Sequence, residues 1–175
     1  MSRVQIVEVG PRDGLQNEAK ALSIEDKLRF IELLTQAGLK RIEAASFVNP
    51  KWVPQMADAK ELYRRLPKRE GVRYPALVPN ERGMEDALVA GVQEVAVFTA
   101  ASETFNRKNV NMSIGESFAA IAQVIALARE KHVAVRGYLS TCFGCPYEGR
   151  VEARRAAALA ERLLVLGCFE VSVSE

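Results

Sequence analysis

The chain has 175 residues, of which 49% are hydrophobic and 26% charged, with 24 basic against 22 acidic side chains and a net charge of +2. That is ordinary globular material of about one domain's length. The balanced charge, without a basic block, argues against a nucleic-acid partner, and no apolar run reaches membrane-spanning length.

In chain order, the first predicted element is an apolar strand, Val4–Val9, running into Gly10-Pro11-Arg12-Asp13-Gly14-Leu15-Gln16-Asn17-Glu18. Ser23, with Asp26 three residues on, caps a helix whose apolar face includes Leu28, Ile31 and Leu34 and which stops at Gly38. A strand follows over Arg41–Ala45, then a helix over Trp52–Leu66 ending at Pro67. Next come a strand at Arg73–Val78, a helix at Glu81–Ala90 and a strand at Glu94–Thr99. Ser113 and Glu116 form a capping box for a long helix to Lys131. Val133–Ser140, Glu152–Leu166 and Phe169–Ser174 complete the series as strand, helix, strand.

Short β-branched strands alternating with helices predict an α/β fold with a parallel sheet and right-handed crossovers. The phosphate-binding fingerprints G-x-G-x-x-G and G-x-x-x-x-G-K-[ST] are missing, which favours a (β/α)8 barrel over a nucleotide-binding sheet. Six strands account for about six of eight barrel units, since a full barrel takes about 250 residues. The expectation is a single partial barrel domain over 1–175, short of its last two units.

Barrel chemistry gathers at the carboxyl ends of strands. Those positions hold Arg12, Asp13 and Gln16, then Glu43 and Ser46, then Asn80, and later Arg136, Tyr138, Cys142, Cys145, Ser172 and Glu175. Asp13 offers a hard oxygen for Mg²⁺ or Mn²⁺. Arg12 beside it suits a developing negative oxygen. The same residues also fit a tight turn closed by a surface ion pair. Glu43 shares a strand with Ile42, so alternation turns it to the opposite face. An inward carboxylate needs a partner, for which Arg136 is a candidate, whether for structure or for chemistry. Three cysteines in a chain with no signal-peptide pattern read as reduced thiols in the cytoplasm. Cys142 and Cys145 have C-x-x-C spacing but no second pair, so plain thiols are expected. His132, before a strand, belongs to a helix terminus.

These residues resemble the 3-hydroxy-3-methylglutaryl-CoA lyase family. The resemblance runs through Val7–Glu18, Ile42-Glu43, Ser46-Phe47-Val48, Pro50–Met56, Arg136-Gly137-Tyr138 and Gly144–Gly149. It implies cleavage of 3-hydroxy-3-methylglutaryl-CoA to acetyl-CoA and acetoacetate, in leucine breakdown and ketone-body metabolism. Asp13 would be a ligand of the divalent cation, and Arg12 would stabilise the enolate oxygen. Glu43 would join the polar network around metal and substrate, while Gln16, Ser46 and Tyr138 would contact the acyl-CoA thioester. The family's other metal ligands and its loop cysteine lie beyond Glu175, so the chain alone is expected to be inactive. Ser174-Glu175 stands where the family typically has Gly-Asp. Two alternatives are an acyltransferase or carboxyltransferase barrel acting on a 2-oxo acid, and a non-catalytic half-barrel that associates with a second copy.

Overall fold

A computed structural model describes residues 4–175. Helices and strands alternate as α1 (Ile24–Gln36), β1 (Ala45–Ser46), α2 (Ala59–Arg65), β2 (Ala76–Leu77), α3 (Glu81–Val89), β3 (Glu94–Ala100), α4 (Glu103–Val110), α5 (Ile114–Glu130), β4 (Ala134–Ser140), β5 (Gly144–Cys145), β6 (Gly149–Arg150), α6 (Ala153–Leu166) and β7 (Glu170–Val173). The architecture is an incomplete (β/α)8-type barrel. Among the described residues no single helix is long and apolar enough to cross a membrane.

The chain divides into two compact units. The first comprises residues 1–77 and 85–94, the second residues 78–84 and 95–175. In the first, β1 and β2 pair in parallel, with Ala45 opposite Ala76. Ahead of them, Glu8 bridges Ile42 and Arg41 bridges Arg73, both in parallel. The expected first strand is thus reduced to one bridge. The Glu8 amide donates to the Arg41 carbonyl and the Glu43 amide to the Glu8 carbonyl, while Val4 and Ile6 are exposed. Ile31, Ile42, Ala44, Leu62 and Ala76 are buried here.

The long helix expected over Trp52–Leu66 is broken. Pro54 lacks an N–H and keeps Val53 out of the helical region (φ −131°, ψ 79°). The chain instead makes a 3₁₀ turn at Pro54–Met56 and starts α2 after Asp58. Buried Lys27 of α1 holds the new helix start, donating to the Asp58 carboxylate at 2.7 and 2.9 Å and to the Gln55 carbonyl.

In the second unit β3, β4 and β7 lie side by side in that order. β4 and β7 are parallel, with Arg136 opposite Glu170 and Tyr138 opposite Ser172. The predicted capping box is present: Glu116 N donates to Ser113 Oγ at 3.1 Å and Ser113 N to Glu116 Oε2 at 2.7 Å. Phe118, Ile121, Val124 and Ile125 of α5 face the core with Val97, Leu139 and Leu163. Two elements were not expected, α4 and the β5–β6 hairpin.

Candidate active site

The site is built where the polypeptide leaves its first bridge. From Gly10 to Gly14 the backbone winds into a wide π-type turn, in which the Asp13 amide donates to the Val9 carbonyl at 2.7 Å. Such turns are rare and concentrate at functional positions. Pro11 enters it near its start, where a missing N–H costs nothing. The Glu8 carboxylate accepts from the Gly10 amide at 2.6 Å and closes the entry. A Cβ on Gly10 would stand 2.9 Å from that Glu8 oxygen and 3.5 Å from the Phe30 ring. A side chain here would therefore displace Glu8 from the amide it caps.

The turn points Arg12 inward and Asp13 outward. Arg12 is 8% exposed; its Nε donates to Glu43 Oε1 at 2.5 Å and its Nη1 to Asp13 Oδ1 at 2.5 Å. The guanidinium is thereby fixed by two carboxylates from different segments. Glu43 is 1% exposed, within a segment buried on both faces, since Ile42 and Ala44 are buried as well. The Asp13 carboxylate remains half-exposed and open to a ligand.

Ser46, at the end of β1, is fully buried, and its Oγ has no hydrogen-bond partner among the described residues. A buried orphan hydroxyl is uncommon in a folded protein and marks a place where an incoming group would be welcomed. Gln16 is half-buried, one turn beyond Asp13, with no side-chain partner among the described residues. The structure thus brings Arg12, Asp13 and Glu43 into direct contact. It sets Ser46 at the end of the strand that follows Glu43 and Gln16 on the same loop as Arg12.

Tyr138 belongs to the second unit. It sits half-buried on β4, with the Arg136 guanidinium 4.8 Å from its ring centroid. Arg136 Nε donates to Glu170 at 2.6 Å. In the first unit, Glu43 takes its charge partner from Arg12.

Sequence reasoning missed three supports. Glu8 caps the turn; its signal was an acid two residues before a glycine. Gln55 donates from Nε2 to the Glu18 carbonyl at 2.7 Å, tying the segment after Pro50 to the end of the Arg12 loop. Tyr63, half-buried and donating its hydroxyl to the Pro75 carbonyl, has its phenol pushed well above the usual value, by desolvation first and then by the Glu43 charge.

The cysteines behave as plain buried thiols, and all three are free. Burial raises Cys168 to about 11 and also raises Cys142. Burial pushes Cys145 up as well, but hydrogen bonding with the Ser102 hydroxyl (2.9 Å) and donation from the Tyr147 and Glu148 amides to its sulfur leave it lowered overall. Nearby, the Gly144 amide donates to Glu175 at 3.3 Å, so the Glu175 carboxylate is engaged with the β5–β6 hairpin.

Comparison with known proteins identifies the family. A family model described as HMGL-like matches residues 3–175. The mitochondrial hydroxymethylglutaryl-CoA lyase of Rattus norvegicus is 51% identical over 173 residues, covering 99% of this chain and 53% of that enzyme. The crystal structure of hydroxymethylglutaryl-CoA lyase from Pseudomonas aeruginosa superposes with a TM-score of 0.95 at 51% identity, over 98% of this chain and 57% of that one. An HMG-CoA lyase from Acinetobacter baumannii, solved with coenzyme A and 3-methylmalate, gives a TM-score of 0.92 at 33% identity, over 99% and 58%. The chain spans about half the length of the curated relatives it matches.

Proposed function

Since this chain belongs to the HMGL-like family, we propose that it carries the Arg12 half of an active site that cleaves 3-hydroxy-3-methylglutaryl-CoA into acetyl-CoA and acetoacetate. The observation that supports this most is the Arg12 guanidinium, buried and gripped between Glu43 and Asp13. In a retro-Claisen cleavage the tertiary alcohol loses its proton, the carbon–carbon bond breaks, and negative charge moves onto the thioester oxygen. A fixed cation facing that oxygen lowers the barrier by several kcal/mol, about a hundredfold or more in rate. Glu43 keeps the guanidinium from turning away, so no reorganisation is needed when the charge appears. The orphan Ser46 hydroxyl would donate to a substrate oxygen and Gln16 would orient the acyl group; Tyr138, on the second unit, is proposed separately as a substrate contact.

The reading extends to a divalent ion, Mg²⁺ or Mn²⁺, with Asp13 as one oxygen ligand. The described residues contain no group of three His, Cys, Asp or Glu side chains able to hold a metal. Asp13 alone does not make such a site. The coenzyme A bound by the Acinetobacter relative supports an acyl-CoA as the substrate class. Three free cysteines suit a reducing compartment, for which we propose the cytoplasm. The rat relative, by its name, is mitochondrial.

Thermal-shift measurement tests the substrate class. Addition of 3-hydroxy-3-methylglutaryl-CoA should raise the Tm of the wild-type chain and leave Arg12→Gln unmoved. Stabilisation by a 2-oxo acid alone would replace this reading with an acyltransferase or carboxyltransferase.

A further inference from the structure

The first unit holds a cavity of about 620 Å³ that the proposed reaction does not use. Its walls are the last turn of α2, the connector that leads to β2, and the residues just after α3. It lies where strands begin, since Arg73 precedes β2 and Glu94 opens β3. Arg12 and Ser46, by contrast, follow strand ends. The volume is that of a small-molecule site.

The lining has two characters. Leu66, Val72 and Val92 make an apolar wall, with Leu66 and Val92 buried. Lys68, Arg73 and Tyr74 supply polarity. Most other charges on the rim are already matched within the unit. Glu94 is paired with Arg41 at 3.1 Å, Arg69 with Glu32, and Arg64 stands 3.8 Å from Glu61. Lys68 and Arg73 have no ion pair among the described residues, and Glu70 is the one acidic neighbour of theirs on the rim likewise without one. The helix dipole explains a cation in the last turn of α2, but Lys68 and Arg73 lie beyond that turn. The Tyr74 hydroxyl is buried without any hydrogen-bond partner among the described residues. Two cations and an orphan donor beside an apolar wall match one kind of guest.

We propose that this cavity binds a small aliphatic dicarboxylate, separate from the Arg12 site. One carboxylate would lie against Lys68 and Arg73. The methylenes would cover Leu66, Val72 and Val92, and a swing of the Tyr74 side chain about its Cα–Cβ bond would bring its hydroxyl, now buried without a partner among the described residues, to the second carboxylate. A neutral apolar guest would leave the cations and the hydroxyl desolvated.

Isothermal titration of the 175-residue chain with sodium adipate tests this. The expected result is one site per chain. Affinity should fall about tenfold or more in the Lys68→Gln/Arg73→Gln double variant, whose substituted positions are exposed and leave the fold intact by circular dichroism. Tyr74→Phe should also weaken binding, while sodium sulfate at equal ionic strength should bind far more weakly. Absence of binding, full binding by the double variant, or equal binding of sulfate would each overturn the proposal.

Discussion

Arg12 and Glu43 are 31 residues apart in sequence, yet they form the buried pair on which the site depends. Removing one member of a buried pair strands the other, at a cost of about 3–5 kcal/mol. Glu43→Ala should therefore lower the urea-derived unfolding free energy by about 3 kcal/mol. Asp13→Asn, at a half-exposed position, should cost under about 1 kcal/mol. Equal losses would show that Glu43 is no more important to Arg12 than Asp13 is. The sequence displays Arg12 and Asp13 as neighbours and Glu43 as an inward carboxylate. It does not display that the π-type turn buries Arg12 while leaving Asp13 half-exposed beside it, because that depends on the backbone hydrogen bonds that wind the turn. The thiols separate similarly. Iodoacetamide labelling at pH 8, followed by mass spectrometry, should modify Cys145 before Cys168, whose value of about 11 leaves almost no thiolate. The reverse order would contradict the hydrogen bonding found around Cys145.

Helix ends were the most legible elements. Ser23 and Ser113 cap where polar residues three apart precede an apolar stripe. Ser113→Ala should remove about 1 kcal/mol of stability, measured by urea denaturation. Element interiors were less legible where polar contacts replace apolar ones. α4 is mostly polar, with little apolar periodicity to reveal it. It is held by buried Asn106, which accepts from the Ala100 amide and donates to the Met112 carbonyl, and by Ser102 as its cap. Glu148, from the hairpin turn, accepts from the Thr104 amide at 2.6 Å, and this bond holds its carboxyl below the usual range. The stabilisation is complete above the ordinary carboxylate value and disappears as pH falls through the lowered one. Glu148→Gln should flatten that part of an acid-unfolding curve; an unchanged curve would mean the contact is lost in solution.

At the scale of the molecule, the rhythm of strand and helix was visible from composition and periodicity, and the parallel pairing follows from it. Strand lengths were not, because a two-residue strand such as β1 is set by how far its neighbours extend. β7 lies at the end of the strand order, pairing with β4 on one side only among the described residues. Val173 and Phe169 beside it are about half exposed, and Val165 of α6 is 79% exposed. An open edge with apolar neighbours promotes association. Light scattering should show an average mass that rises with concentration, and Val173→Lys should suppress the rise. A monodisperse monomer at all concentrations would rule out self-association through this edge.

Gly10 and Gly14 look interchangeable in the sequence, yet one is enclosed by the Glu8 carboxylate and the Phe30 ring while the other has open space around it. In a saturation library selected for folded protein, codon 10 should hold glycine with alanine as its main replacement, since a Cβ there displaces only the flexible end of Glu8. Codon 14, four steps along the same short coil, should drift freely to alanine. Tolerance at the two ends would then mark which end of the turn is clamped.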